Sequence, residues 1–228
     1  MSKLRLFLVF MSVALLPLLQ GCLGSGPAPN NPPNENGVLL RNAVERMKAL
    51  RSYHFWALVG TPAQHTEMSG DVDVANNRAM LVITGTVHTS NVIVIGRDAY
   101  FSEAGGSYIK AASNNLDLEG VLGIWERFKL EDIDKARDAL RDGSPGVQTL
   151  DGVSTKVIVG SAVELNALTG TGGETGQEGT VTFWVSTGDT PYVHRMRVDG
   201  KTGSAEVAGT FEWSRFNETF DIKAPEGQ

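Results

Sequence analysis

The apolar residues of this chain follow different rhythms along its length, and each rhythm predicts a different element. Residues 38–51, VLLRNAVERMKALR, place Leu39, Leu40, Ala43, Val44, Met47 and Leu50 on one face at helical spacing. The period then shortens. SYHFWALVGTP (52–62), MSGDVDVAN (68–76), RAMLVITGTVHT (78–89) and NVIVIG (91–96) are rich in Val, Ile, Thr and aromatic residues with turn residues between them, and predict consecutive strands. Asn76-Asn77 and Thr89-Ser90-Asn91 are the expected turns, and residues 97–111 predict a hairpin around Gly105-Gly106.

Helical spacing returns twice. LDLEGVLGIWERF (116–128) gathers Leu118, Val121, Leu122, Ile124, Trp125 and Phe128 on one broad face. EDIDKARDALRDG (131–143) has a narrower stripe of Ile133, Ala136 and Leu140, with Gly143 as the expected stop. Strands resume at 147–152, 154–165, 180–187, 191–200 and 204–216, with turns expected at Gly188–Pro191 and Asp199–Gly203. The helices are not interleaved strand by strand, and short turns join the strands. That order predicts an α+β fold: a large curved antiparallel sheet with helices packed on one face.

The first residues obey another rule. Lys3 and Arg5 precede an apolar run from Leu6 to Leu19, broken only by Ser12 and Pro17. The run falls short of the roughly 20 apolar residues of a comfortable membrane span and has the form of a secretory signal. It ends Leu19-Gln20-Gly21-Cys22, which resembles a bacterial lipobox, and Cys22 is the only cysteine of the chain. The resemblance implies cleavage before Cys22 and a diacylglyceryl group on its thiol; the alternative is an ordinary signal with a chance cysteine. A lone cysteine cannot build a disulfide framework, whereas two acyl chains hold a protein stably on a membrane. Residues 22–37 are dominated by Pro, Gly, Asn and Ser and predict a flexible tether. Leu23, rather than Asp, follows the cysteine, so no inner-membrane retention signal is evident. The expected organisation is a signal over 1–21, a lipidated tether over 22–37 and one domain over 38–228. The expected location is extracytoplasmic: the outer face of a cell membrane, or an outer membrane if the cell has two.

Charge narrows the partners. Without Lys3 and Arg5 the chain carries 18 basic and 26 acidic residues, near −8. That argues against a nucleic acid as partner, whose phosphates demand a basic patch. No GxSxG or HExxH motif occurs. His54, His65, His88 and His194 lack metal-ligand spacing. The Gly-rich TGTGGETGQEG (169–179) lacks the Lys-Ser/Thr of a phosphate loop and reads as a connection. The carboxylates of GDVDV (70–74) and EDIDKARD (131–138) read as solvated faces. No catalytic residue, metal or cofactor is assigned, although a through-space carboxylate pair on an envelope hydrolase would leave no motif.

Apolar surface remains. A curved sheet with amphipathic helices can leave an apolar pocket between its layers; a filled core is the other reading of the same pattern. The order of SYHF (52–55), GDVDV, RDAYF (97–101), LDGVSTKVIVGSA (150–162), VTFWVSTGDTPYVHRMRVDG (181–200) and FNETFDIKAP (216–225), following a lipobox, resembles the LppX/LprAFG family of bacterial lipoproteins. One departure is SYIKAASNN after the RDAYF hairpin, where the family tends to carry an aromatic residue. The resemblance implies a half-barrel with helices on its concave side, similar to the lipoprotein carriers and receptors of Gram-negative envelopes. It further implies an apolar cavity for an acylated lipid or glycolipid, carried across the envelope without catalysis. The residues expected to line it are Leu40, Val44, Met47, Phe55, Leu118, Val121, Leu122, Trp125, Phe128 and Phe183. The alternative function is a module that binds or senses an envelope protein partner on the same fold without lipid cargo.

Overall fold

The computed structural model describes residues 34–226 apart from Pro62, Ala104 and residues 112–124, 126–127, 162–178 and 203–204. Helix α1 spans Glu35–Lys48 and leads into six strands: β1 (Ser52–Gly60), β2 (His65–Asp73), β3 (Arg78–Thr84), β4 (Thr89–Ile95), β5 (Asp98–Glu103) and β6 (Ile109–Ala111). Helix α2 (Leu130–Ala136) and a 3-10 turn (Arg137–Ala139) follow. The chain closes with β7 (Arg141–Leu150), β8 (Val153–Ser161), β9 (Gly179–Ser186), β10 (Val193–Thr202) and β11 (Ala205–Ser214).

All the strands join one antiparallel, curved and unclosed sheet of 11 strands, in the order β6-β5-β4-β3-β2-β1-β11-β10-β9-β8-β7. Apart from β6 and β7, strands successive in sequence pair with each other, and β1 also pairs with β11. The two halves of the chain therefore run outward from the centre as two wings. β6 and β7, successive in sequence, form opposite edges. The connection between them brings Trp125 and Phe128 against the middle of the sheet, where Trp125 meets Trp213 of β11 at a ring-centroid distance of 4.6 Å. The expected α+β half-barrel is the fold observed.

Several boundaries differ from the sequence expectation, each for a local reason. Helix α1 starts at Glu35 rather than 38, because the side chain of Asn34 caps it, accepting from the Asn36 amide at 3.0 Å. The same side chain donates to the carbonyls of Arg137 and Leu140, tying the helix start to the 3-10 turn. Gly37, read as tether, lies in this contact: a Cβ there would stand 2.6 Å from Cβ of Arg137. The turn expected at Thr89–Asn91 is formed instead by Gly85–His88, closed by the Gly85 amide donating to the His88 carbonyl at 2.8 Å. Gly85 is the stronger breaker, while Thr89, Ser90 and Asn91 pair with Thr84, Ile83 and Val82 inside β4.

The helix expected over 131–143 ends at Ala136, and Gly143 does not stop it. Gly143 belongs to β7, where a Cβ would come 2.4 Å from Cγ1 of Val157. The edge strand can approach β8 that closely only without a side chain. Its register shifts between Asp142 and Val147, which accommodates Pro145 on an edge, where a missing amide is tolerated. Asp199–Thr202 continue β10, paired with β11 residues from Ala208 to Ala205, instead of turning. The Asn76-Asn77 turn and the hairpin at Gly105-Gly106 stand as expected, with Asn77 and Gly105 at positive φ.

Candidate functional site

Directly opposed residues of antiparallel strands share a face, so the register defines the concave surface row by row. One row aligns Tyr53, Val72, Ala79, Val94 and Ala99. The next aligns Phe55, Gly70, Leu81, Val92, Phe101 and Ile109. A third joins Ile83, Met68, Ala57, Phe211, Met196, Phe183 and Ile158 across both wings. These rows are almost wholly apolar. Gly70 is the gap in the second row, and a Cβ there would come within 2.8 Å of Cα of Leu81.

Burial is uneven along this surface. Tyr53, Phe55 and Ala57 of β1 are buried, and Val59 at its far end is half-buried. On β2 Val72 is buried and Met68 half-buried; on β3 Leu81 is buried and Ile83 half-buried. Along the second row Val92 is buried, Phe101 half-buried and Ile109, on the edge strand, 68% exposed. On the opposite wing Phe211 of β11 and Val198 of β10 are half-buried, but β9 shows no such fall. Val181, Phe183 and Val185 of β9 are all completely buried, because α1 lies across β9 and β10 and packs on α2.

The structure brings together seven of the ten residues expected to line a cavity. Leu40, Val44, Met47, Phe55, Trp125, Phe128 and Phe183 are all buried in one continuous cluster. Leu118, Val121 and Leu122 lie outside the described residues, as does Cys22. Sequence reasoning missed Met68, Ile83, Phe101, Phe211 and Ile109, the apolar concave residues that are not fully covered. The alternation of β2, β3, β5 and β11 marks their face, but periodicity alone carries no measure of how far a roof extends over a sheet.

The tryptophans divide into two kinds. On the convex face, the indole N–H of Trp56 donates to Glu67 Oε1 at 2.7 Å and that of Trp184 to Gln148 Oε1 at 2.9 Å. Trp125 and Trp213 are 3% and 1% exposed, and among the described residues neither indole nitrogen has a hydrogen-bond partner. Phe55, Phe128 and Phe211 surround this pair, with ring centroids 5.2–6.2 Å from one or other indole.

Several charged groups are engaged in pairs away from this surface. Asp71 of the GDVDV motif is not simply solvated: His54 Nδ1 sits 2.7 Å from its Oδ1, and Arg215 approaches the same oxygen at 3.6 Å. Arg195 meets Glu212 at 2.6 Å and lies over the ring of Trp184. Asp132 and Asp134 pair with Lys135 and Arg41. Among the described residues no three His, Cys, Asp or Glu side chains come together as a metal site would require. Burial pushes the Tyr53 hydroxyl above its ordinary range. Burial also holds His194 below the usual histidine value, partly offset by Asp151.

The C-terminal segment, which periodicity left unassigned, straps the convex face. Phe220 and Ile222 pack on Ile93 and Tyr100, and the guanidinium of Arg215 lies 4.8 Å from the Phe220 ring centroid. Asn217 fixes the strap by donating its amide to the Ser52 carbonyl and accepting from the Arg51 amide.

An open antiparallel half-barrel with helices on an apolar concave face is a scaffold class shared with solved bacterial lipoproteins. The chain is similar to the lipoprotein LppX of Mycobacterium tuberculosis, with a TM-score of 0.58 at 17% identity, over 83% of this chain and 98% of that one. It is also similar to LprF of Mycobacterium bovis, with a TM-score of 0.63 at 16% identity, over 85% of this chain and 98% of that one. The resemblance to the LppX/LprAFG family therefore holds for the fold. No protein-family model matches the chain, and no curated protein matches it by sequence. Among the described residues no helix is long and apolar enough to cross a membrane.

Proposed function

We propose that this chain is a non-catalytic, extracytoplasmic lipoprotein, anchored through Cys22, that holds the acyl chains of a lipid or glycolipid against its concave face. Carriage of that cargo across the cell envelope is the physiological role this implies. The observation that carries the reading is the incompletely covered apolar surface of Val59, Met68, Ile83, Phe101 and Phe211, packed against the buried core. Such a surface offers an acyl chain about 0.8 kcal/mol for each CH₂ it buries. A bilayer offers the same chain a similar gain, so transfer between the two is nearly balanced, as a shuttle requires. The lipoprotein likeness of the fold, the lipobox and the Pro/Asn-rich tether support the same reading. The complete burial of Leu40, Val44, Phe55 and Phe183 favours a second one, a closed module for an envelope protein partner.

Native mass spectrometry with organic extraction separates them. The chain without residues 1–22, which keeps every element described above, is expressed in a lipid-containing host. A co-purifying acylated lipid near one per protein supports carriage and identifies its class. A clean apo mass that persists after incubation with envelope lipids rejects carriage in favour of the partner-binding module.

A further inference from the structure

The two buried tryptophans pose a problem that the lipid-binding reading does not by itself solve. A buried donor without a partner is costly, and native structures leave few of them. Trp56 and Trp184, on the convex face where water could serve, nevertheless have protein acceptors for their indole N–H groups. Trp125 and Trp213, more than nine-tenths buried and in ring contact with each other, have none among the described residues. The rings of their aromatic neighbours, Phe55, Phe128 and Phe211, carry no oxygen or nitrogen that could accept. Neither donor is explained by the fold alone.

Their position suggests what pairs with them. Phe211 is half-buried on the open part of the concave face, and its ring is stacked on Trp213 at a centroid distance of 6.2 Å. Trp213 therefore lies one ring below the surface proposed to receive the acyl chain. An occupant reaching it meets apolar side chains on its flanks and the unpaired N–H donors of two indoles in ring contact. A saturated hydrocarbon satisfies the first and leaves the donors unpaired. A molecule with a carbonyl oxygen set within an apolar body satisfies both.

We propose that Trp125 and Trp213 form an acceptor-reading subsite for the ester carbonyl of an acyl lipid. This rests on the lipid-binding reading and adds to it a choice of linkage: the protein selects acyl esters over ether-linked chains of equal length. The indole N–H groups are the donors of the subsite, and the carbonyl oxygen, with two lone pairs, is the acceptor they lack. The phenylalanines confine the chain.

The test compares two probes with the same head group and chain length, dipalmitoyl phosphatidylcholine and its dihexadecyl ether analogue. Binding of each to the chain without residues 1–22 is measured by native mass spectrometry and by the shift of tryptophan emission. The expected result is a preference for the ester on the order of tenfold, the worth of about one net hydrogen bond. Trp213→Phe and Trp125→Phe, which keep an aromatic ring and remove the donor, should each reduce that preference severalfold. Because the readout is a ratio within one protein, a general loss of binding does not imitate the effect. If one variant fails to fold, the other carries the test.

Equal binding of ester and ether by the unsubstituted protein overturns the subsite and leaves lipid binding standing. An ester preference that survives both substitutions also overturns it, since another group then reads the carbonyl. Binding of neither probe overturns the subsite together with the lipid reading on which it rests.

Discussion

The two wings of the sheet present the same apolar alternation and bury it differently. On β9, Val181, Phe183 and Val185 are covered along the whole strand. On β2 and β3, Val72 and Leu81 are covered, whereas Met68 and Ile83 of the next row are only partly so. The difference does not lie in the strands, which share a pattern and an antiparallel register. It lies in the layer above them. Helix α1 crosses β9 and β10, held at its start by Asn34 against the 3-10 turn and by the close approach of Gly37 to Arg137. A concave face made of one kind of residue thus divides into a stabilising part and a part left for contact.

Matched truncations test this division most strongly. Phe183→Ala on the covered wing should cost about 3–5 kcal/mol of stability. Phe101→Ala on the other wing should cost less than half as much, since its ring is already partly in water. Equilibrium urea unfolding of both variants decides; equal losses would mean that the two wings are covered alike. Next in size is Gly37→Ala. Its new methyl would press on Arg137, and overpacking of this kind costs about 1–3 kcal/mol. A lowered thermal midpoint checks it. An unchanged midpoint would show that α1 can shift without loss and that the covered wing is not held as described.

Ile109→Ser sharpens the comparison from the other side. The residue is 68% exposed, so stability should change by no more than about 0.5 kcal/mol. The amount of co-purifying lipid should nevertheless fall, because the apolar row ends there. A variant that lost stability and kept its lipid would reverse the assignment of the two wings.

The smallest effect concerns His194, on β10 where the register shifts between Val193 and Arg195. Its ring meets Phe216 edge-on at 5.2 Å. Burial lowers its pKa in the folded state, with Asp151 opposing in part. The unfolded chain therefore binds more protons between the folded pKa and the ordinary value of about 6.5, and stability falls as pH drops through that window. Above the window the group contributes no slope. His194→Asn should flatten the acidic side of the stability–pH curve. A slope unchanged by the substitution would assign it to other groups.

How much of this was legible in the sequence varied with the range of the interaction. Apolar alternation located the strands, because side chains on successive strand residues face opposite ways whatever lies beyond. It did not locate the turn at Gly85–His88, since Thr89 and Ser90 resemble turn residues until β3 pairs with them. Nor did it reveal that Gly143 continues a strand, because the demand for a missing side chain comes from Val157 on the neighbouring strand. For the candidate site, residue type and spacing selected the concave face. Seven of the ten expected residues lie in one cluster there, among them Phe55, Trp125 and Phe183.

By itself the sequence determined the strand-rich α+β class, the helical face of α1, the lipobox-like segment that ends at Cys22 and the acidic balance of the chain. These follow from local periodicity, composition and short-range sterics, which do not depend on the rest of the fold. Only the tertiary structure decided that β1 meets β11 at the centre, that α1 covers one wing, and that Trp125 and Trp213 meet with their donors unpaired. Those facts depend on residues far apart in the chain arriving at one place, and no window of sequence holds both partners of such a contact.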